Sequence, residues 1–326
     1  MKLKKEYIIL AVVIVALVAY LVSRKQDRSL YDLPEIATVE PKKINRVELL
    51  RGEDTITFRK EGSEWKISPE NYLADPMKVK DMLTVVEGMA LTELISESKN
   101  YQRYDLDAKD GIQLKCWAKD DLIFEILIGK AAESFNHTFV KLPDDQAVYH
   151  AKGNFRKKFD MEIGEFREKT VLAFDKETIG VLDIQAGDAA ETYTKQETPP
   201  DPAEAKDGET PAAQDAGSKP KWVNDKGEDA DAGKITSLIS TLSNLKCEKF
   251  IEGKSKSDFS DPVHTLTLTG VKEYTLRLYA EMEVDGESFF PAVSSENNYP
   301  FLMTQWRSEN LIKKPADLKK PDPAGQ

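Results

Sequence analysis

Apolar and polar positions along the chain follow one pattern twice. After Asp75, apolar residues fall at Val79, Met82, Leu83, Val86 and Met89. After Asp231 they fall at Ile235, Leu238, Ile239, Leu242 and Leu245, with the same spacing. Each series is a single apolar stripe at helical period and predicts an amphipathic helix. Asp75 is suited to cap the first helix, with Pro76 in its first turn, and Asp231 to cap the second. The two series match without a gap from Asp75 to Ile95 and from Asp231 to Ile251. A Trp precedes each helix, Trp65 and Trp222, and the recurrence of the stripe with it assigns both to covering the helix rather than to stacking on a ligand.

The echo extends in both directions. Upstream, "INRVELLRGEDTITFRK" (Ile44–Lys60) parallels "IGVLDIQAGDAAETYTK" (Ile179–Lys195), with Val47, Leu49 and Phe58 matching Leu182, Ile184 and Tyr193. Both read as strand, Gly/Asp turn, strand. Downstream, "IQLKCW" and "LIFEILIG" alternate as strands do, and so do "HTLTLTG" and "EYTLRLYA". Further β segments come after these, and each copy ends in a short helix-like piece, "GNFRKKFD" and "QWRSENLI". The unit predicted is two or three strands, one helix, then about four strands. The fold class is α+β: two tandem repeats, over 44–170 and 171–318, each an antiparallel sheet packed with one amphipathic helix. A tail, 319–326, closes the chain.

One tract breaks the second copy. Residues 196–220, "QETPPDPAEAKDGETPAAQDAGSKP", hold five Pro and six acids but no Leu, Ile, Val, Met or aromatic residue. Such a segment buries too little surface to offset its ordering entropy, and disorder is expected. Alignment of the copies places it at a hairpin turn, where insertions are mild.

At the other extreme, Tyr7–Val22, "YIILAVVIVALVAYLV", carries no charge. As a helix it spans about 24 Å, slightly less than a hydrocarbon core of about 30 Å. Tyr7 and Tyr20 suit the interfaces, and Lys4, Lys5, Arg24 and Lys25 can snorkel outward. Residues 1–28 are expected to be an uncleaved signal anchor, that is, an N-terminal transmembrane helix, followed by a linker over 29–43. The bulk of the chain, from about residue 30 onward, is then expected outside the cytoplasm.

Charge narrows the partners. The 326 residues carry a formal net charge of -11, while residues 1–28 are basic, so the remainder is more acidic still. That argues against nucleic acid as a partner, which needs Lys/Arg excess. Cys116 and Cys247 read as small buried apolar residues. The chain contains none of the Walker A, Rossmann glycine, HExxH, GxSxG, SxxK or CxxC motifs. His137, His150 and His264 have no ligand spacing, with His137 read in a turn and His150 near the end of a strand; "DAKDG" lacks the series of a calcium loop. No catalytic residue, cofactor or metal is assigned. Trp117 and Trp306 are the candidate contacts for a ligand or partner.

The pieces "EWKI…ADPMKVKDMLTVVEGM", "YQRYDLD", "LIFEILIGK", "TFVKL…AVYHA" and "FREKTVLAFDKETIGVLDI" resemble a bacterial family, domain of unknown function 4340. The resemblance covers roughly Ile44 to Leu318 in two copies. Tyr104-Asp105-Leu106 departs from the Tyr-Gly-Leu form of that family. The resemblance implies a membrane-anchored protein outside the cytoplasm, encoded beside an ABC-transporter ATPase, a permease and an auxiliary protein similar to a gliding-motility component. It supplies no catalytic residues. Three functions are compatible with these residues: a non-enzymatic accessory or scaffold protein of such a transport system, a binding module for an envelope polysaccharide or peptide, and a hydrolase with an unrecognised site.

Overall fold

A computed structural model describes residues 12–20, 32–196 and 221–320. The chain divides into two compact units, Met1–Glu168 and Lys169–Gln326. Ahead of the first sheet, residues 12–20 form a helix, α1, whose large apolar side chains are all exposed, from Val12 through Tyr20. The ends of the expected membrane helix lie outside the described residues. Among those described, no helix is long and apolar enough to cross a membrane.

Unit 1 contains β1 (Arg46–Arg51), β2 (Asp54–Glu61), β3 (Glu64–Ser68), β4 (Tyr72–Leu73), α2 (Pro76–Glu87), β5 (Leu91–Ser96), β6 (Ile112–Ala118), β7 (Asp121–Ala131), β8 (His137–Lys141), β9 (Val148–Lys152) and α3 (Ile163–Phe166). The strands form one nine-stranded sheet in the order β4-β3-β2-β1-β6-β7-β8-β9-β5. Central β1 pairs antiparallel with β2 and β6, setting Val47 beside Phe58 and Cys116, and Leu49 beside Ile56 and Leu114. Alternate side chains therefore share one buried face, as period-2 strands require. Asp75 Oδ1 accepts from the backbone N–H of Met77 at 2.8 Å and of Lys78 at 3.3 Å, which starts α2. Gly88 ends it, and Val79, Met82 and Val86 are buried.

Unit 2 repeats the plan. It contains β10 (Thr170–Ala173), β11 (Val181–Ala186), β12 (Ala189–Gln196), β13 (Lys221–Asn224), α4 (Ala232–Leu242), β14 (Asn244–Lys246), β15 (Lys249–Phe250), β16 (His264–Thr269), β17 (Glu273–Leu278), β18 (Met282–Val284), β19 (Glu287–Ser294), β20 (Phe301–Thr304) and α5 (Gln305–Leu311). The main sheet runs β13-β12-β11-β16-β17-β19-β20-β15, with β18 on β19, and β10 pairs with β14 apart from it. Registers coincide between units: Phe58 opposes Ile67 and Lys60 opposes Trp65 in the first, as Tyr193 opposes Asn224 and Lys195 opposes Trp222 in the second. Trp222 packs in one apolar cluster with Ile235, Leu238, Ile239 and Leu242 of α4 and with Leu266, Leu268 and Leu276 of the sheet. Gln196 and Lys221 are paired neighbours, so the chain leaves and re-enters at one point of the hairpin. Residues 197–220 lie outside the described residues, and so do 321–326 of the tail.

The structure corrects three local expectations. The helices stop earlier than the stripe, at Glu87 and Leu242, with Gly88 and Ser243 as the C-caps. Met89 then lies in the connection to β5, and Leu245 in β14. In unit 1 the helix is succeeded by five strands rather than about four, because Leu91–Ser96 turns back to pair with β9. His137 opens β8 instead of sitting in the turn; Phe135, at φ 56°, takes that position.

The family-like pieces have structural work. "YQRYDLD" lays Tyr104 and Leu106 against β7 at Gly129, where an added Cβ would lie 2.2 Å from the Tyr104 carbonyl oxygen. Asp105, between them, has φ 54°, the left-handed conformation that glycine adopts without strain. "FREK" closes unit 1: the Asp75 N–H bonds to the Phe166 carbonyl at 2.8 Å and the Glu168 N–H to that of Leu73 at 2.8 Å. The buried Arg167 guanidinium stacks on Tyr72 at 3.6 Å.

Candidate functional site

An open groove of about 1200 Å³ lies within unit 2, between α4, α5 and the chain after α5. Asp231 positions α4 by accepting from the Lys234 N–H at 3.1 Å. The inner stripe of α4 packs on the sheet, which turns Lys234, Ser237 and Thr241 toward the groove, and Leu238, Leu245, Leu311 and Leu318 form its floor. α5 is held by Leu311 and Ser308, both fully buried. That orientation sends Trp306 outward, with 72% of its surface exposed.

Four cations line the groove with one acid, Asp317. Lys234 Nζ donates to the Asp317 backbone carbonyl at 2.9 Å and lies 3.7 Å from Asp231. Among the described residues, Lys246, Arg307 and Lys313 have no acidic partner; Arg307 is fixed through a single 3.0 Å bond to the Lys246 carbonyl. Asn310 Nδ2 donates to the Trp306 carbonyl at 2.9 Å, and the Thr241 hydroxyl to that of Ser237 at 2.9 Å. The groove is thus a basic rim and an open indole over a base of buried leucines.

Trp117 is placed differently. It belongs to unit 1, is buried, and carries the Arg46 guanidinium 4.1 Å over its ring. Of the two candidate tryptophans, Trp306 is the one with a free face.

Two other polar clusters stand out. In unit 2, Glu191 is 8% exposed; its Oε1 accepts from Asn224 Nδ2 at 2.8 Å and its Oε2 lies 2.7 Å from the Tyr193 hydroxyl. The Tyr193 hydroxyl also faces the Pro315 carbonyl at 3.0 Å, so one phenolic proton serves two acceptors. Burial first, and then Glu191, holds Tyr193 above the ordinary tyrosine range. Asn224 is fully used: it donates to Glu191 and Glu228 and accepts from the N–H groups of Lys226 and Glu228. A pocket of about 360 Å³ opens beside Tyr193 and Asn224. In unit 1, His137 and His150 stack at 5.1 Å and His150 Nδ1 lies 3.4 Å from Glu93. Burial, then His137, lowers the His150 pKa, against Glu93. Among the described residues, no group of three His, Cys, Asp or Glu is arranged to hold a metal.

His264 is fully buried in unit 2, and neither ring nitrogen has a hydrogen bond of ordinary geometry. Burial lowers its pKa, partly offset by the Leu311 backbone. The equivalent strand position in unit 1 is Ile112: Ile112 opposes Arg51 and Ile128 as His264 opposes Ala186 and Leu278. By the same registers Ile56, Phe58 and Ile67 correspond to Glu191, Tyr193 and Asn224. In the sequence pattern Phe58 and Tyr193 match as apolar bulk, which hides the change of polarity; the aligned copies held that signal. The basic rim has no such signal, because its residues come from separate segments.

Compared with known proteins, the chain matches no curated protein and no solved structure. A family model, Domain of unknown function (DUF4340), matches residues 65–264, from the third strand of unit 1 to the start of β16 in unit 2. That stretch exceeds half of the chain, takes in both amphipathic helices, and establishes that the chain belongs to the DUF4340 family.

Proposed function

We propose that this chain is a non-enzymatic, membrane-tethered scaffold or accessory protein on the extracytoplasmic side of a bacterial inner membrane, and that it holds a protein partner of an ABC-type transport system in the α4–α5 groove. The observation that carries the reading is the exposed Trp306 indole beside three cations without acidic partners among the described residues. An exposed aromatic next to arginine is the composition of a binding hot spot. The tether is supported by α1, whose apolar residues are exposed around the helix; a helix apolar on all faces needs an apolar surrounding.

The test is photocrosslinking in intact cells with a photoreactive residue at position 306, followed by membrane fractionation. Adducts with a permease or an extracytoplasmic auxiliary subunit in the membrane fraction are expected. A chain recovered from the soluble fraction, or a membrane-bound chain with no protein adduct, refutes the proposal. The amides of Asn244 and Asn310, which line the same groove, favour a second reading, capture of an envelope polysaccharide or peptide; the crosslinked material distinguishes the two.

A further inference from the structure

We infer that the occupant of the α4–α5 groove is an acidic, amphipathic peptide segment of the partner protein. This deepens the proposed scaffold role and rests on the groove being its docking surface.

The charge of the groove runs against that of the chain. The chain as a whole is acidic, at -11, yet the groove gathers Lys246, Arg307 and Lys313 without acidic partners among the described residues, beside Lys234, which pairs with Asp231, and one lining acid, Asp317. Like charges gathered on one rim repel, and a partner of opposite sign relieves that repulsion while gaining on-rate and register. Arg307 is the best prepared of the four. Its bond to the Lys246 carbonyl sets the guanidinium in place and leaves the remaining N–H donors for a carboxylate. Lys246 and Lys313 flank it without acidic partners among the described residues.

Shape adds a second constraint. The leucines at the base of the groove, Leu238, Leu245, Leu311 and Leu318, are buried, so the large apolar surface on offer is the open indole of Trp306. An open indole beside a charged rim takes a segment that is apolar on one side and charged on the other. A lipid surface is flat and does not enter a groove.

The experiment uses the full chain in detergent micelles and a fluorescein-labelled amphipathic peptide of Leu, Ala and Glu, with all Glu on one face. Anisotropy is read at low and moderate salt. Binding is expected, with at least a tenfold loss in the Arg307→Glu/Lys313→Glu variant, a comparable loss in Trp306→Ala, and weakening as salt rises. The same peptide with Gln for Glu should bind at least tenfold more weakly. Melting curves should show each variant still unfolding cooperatively, Trp306 being exposed and Arg307 and Lys313 half-buried rather than in the core.

Equal binding of the Glu and Gln peptides, or no effect of charge reversal, overturns the inference. So does rim-dependent binding of polygalacturonate or of phosphatidylglycerol vesicles in the absence of peptide binding. If the peptide fails while the residue-306 crosslink to a transport subunit persists, this inference falls and the scaffold role stands. If both fail, the scaffold role falls with it.

Discussion

Replacing His264 by isoleucine should make the protein more stable, and increasingly so in acid. The substitution restores in unit 2 the residue that unit 1 places at the same register, Ile112. The imidazole is fully buried and both nitrogens lack hydrogen bonds of ordinary geometry. A buried polar group left unsatisfied costs about 1–3 kcal/mol. Imperfect fit of the new side chain returns up to about 1.5 kcal/mol of that. The balance is centred on a net gain of about 1 kcal/mol at neutral pH, or roughly 2–4 °C in the melting temperature of a unit this size. The pH dependence has a definite sign. The folded pKa of His264 lies below its ordinary 6.5, so below about 6.5 the unfolded chain takes up a proton that the folded chain does not. Parent stability therefore falls as pH drops through 6.5, by up to about 1.4 kcal/mol per pH unit, and levels off at the folded pKa. The variant lacks this loss. His150 is also lowered, but it is present in both proteins and cancels from the difference. Thermal melts of parent and variant at matched ionic strength from pH 7.5 to 4.5 read the gap. A gap that stays constant or narrows toward acid, or a variant less stable at pH 7.5, refutes the reasoning.

Three more outcomes rest on single positions. Gly129→Ala should destabilise unit 1 by about 2–3 kcal/mol in urea titration, because its Cβ would meet the Tyr104 carbonyl at 2.2 Å and Leu106 Cγ at 2.9 Å, and the first of these is backbone. Asp105→Gly should stabilise it by about 0.5–1 kcal/mol in the same assay, since φ is 54° there. Asn224→Ala should cost about 1–3 kcal/mol in thermal melts, because it strips Glu191 Oε1 of its partner along with the N–H groups of Lys226 and Glu228.

Much of the architecture is legible in the sequence because its causes are local or periodic. Asp75 and Asp231 cap their helices through bonds a few residues long, and the apolar stripes bury the faces their spacing defines. The alternation in Ile112, Leu114 and Cys116 puts all three in the core. The rest depends on distant pairing. β5 is a strand because β9 lies beside it, and nothing in Leu91–Ser96 alone announces this. The basic rim draws Lys246 from the end of β14, Arg307 from α5 and Lys313 from beyond it. Trp117 and Trp306 look alike as sequence; the Arg46 stacked on one and the solvent around the other separate them.

The duplicated fold supplies an internal control that bears on where function lies. Positions that keep both register and polarity between the units, such as Leu49 with Ile184 and Trp65 with Trp222, are explained by packing alone. At four buried positions register is kept and polarity is not: Ile56, Phe58, Ile67 and Ile112 give way to Glu191, Tyr193, Asn224 and His264. Three of these hydrogen-bond to one another, and Tyr193 also reaches the Pro315 carbonyl, tying the chain after α5 to the sheet. The fourth, His264, is fully buried with no hydrogen bond of ordinary geometry from either ring nitrogen. The hydrogen-bonded departures of unit 2 therefore reach the stretch after α5, which runs on to Leu318 at the groove. Apolar residues at these positions would serve packing at least as well, as unit 1 demonstrates, so packing does not explain the exchange. The bond from Tyr193 to the Pro315 carbonyl, which ties the chain after α5 to the sheet, is what the cluster of three adds.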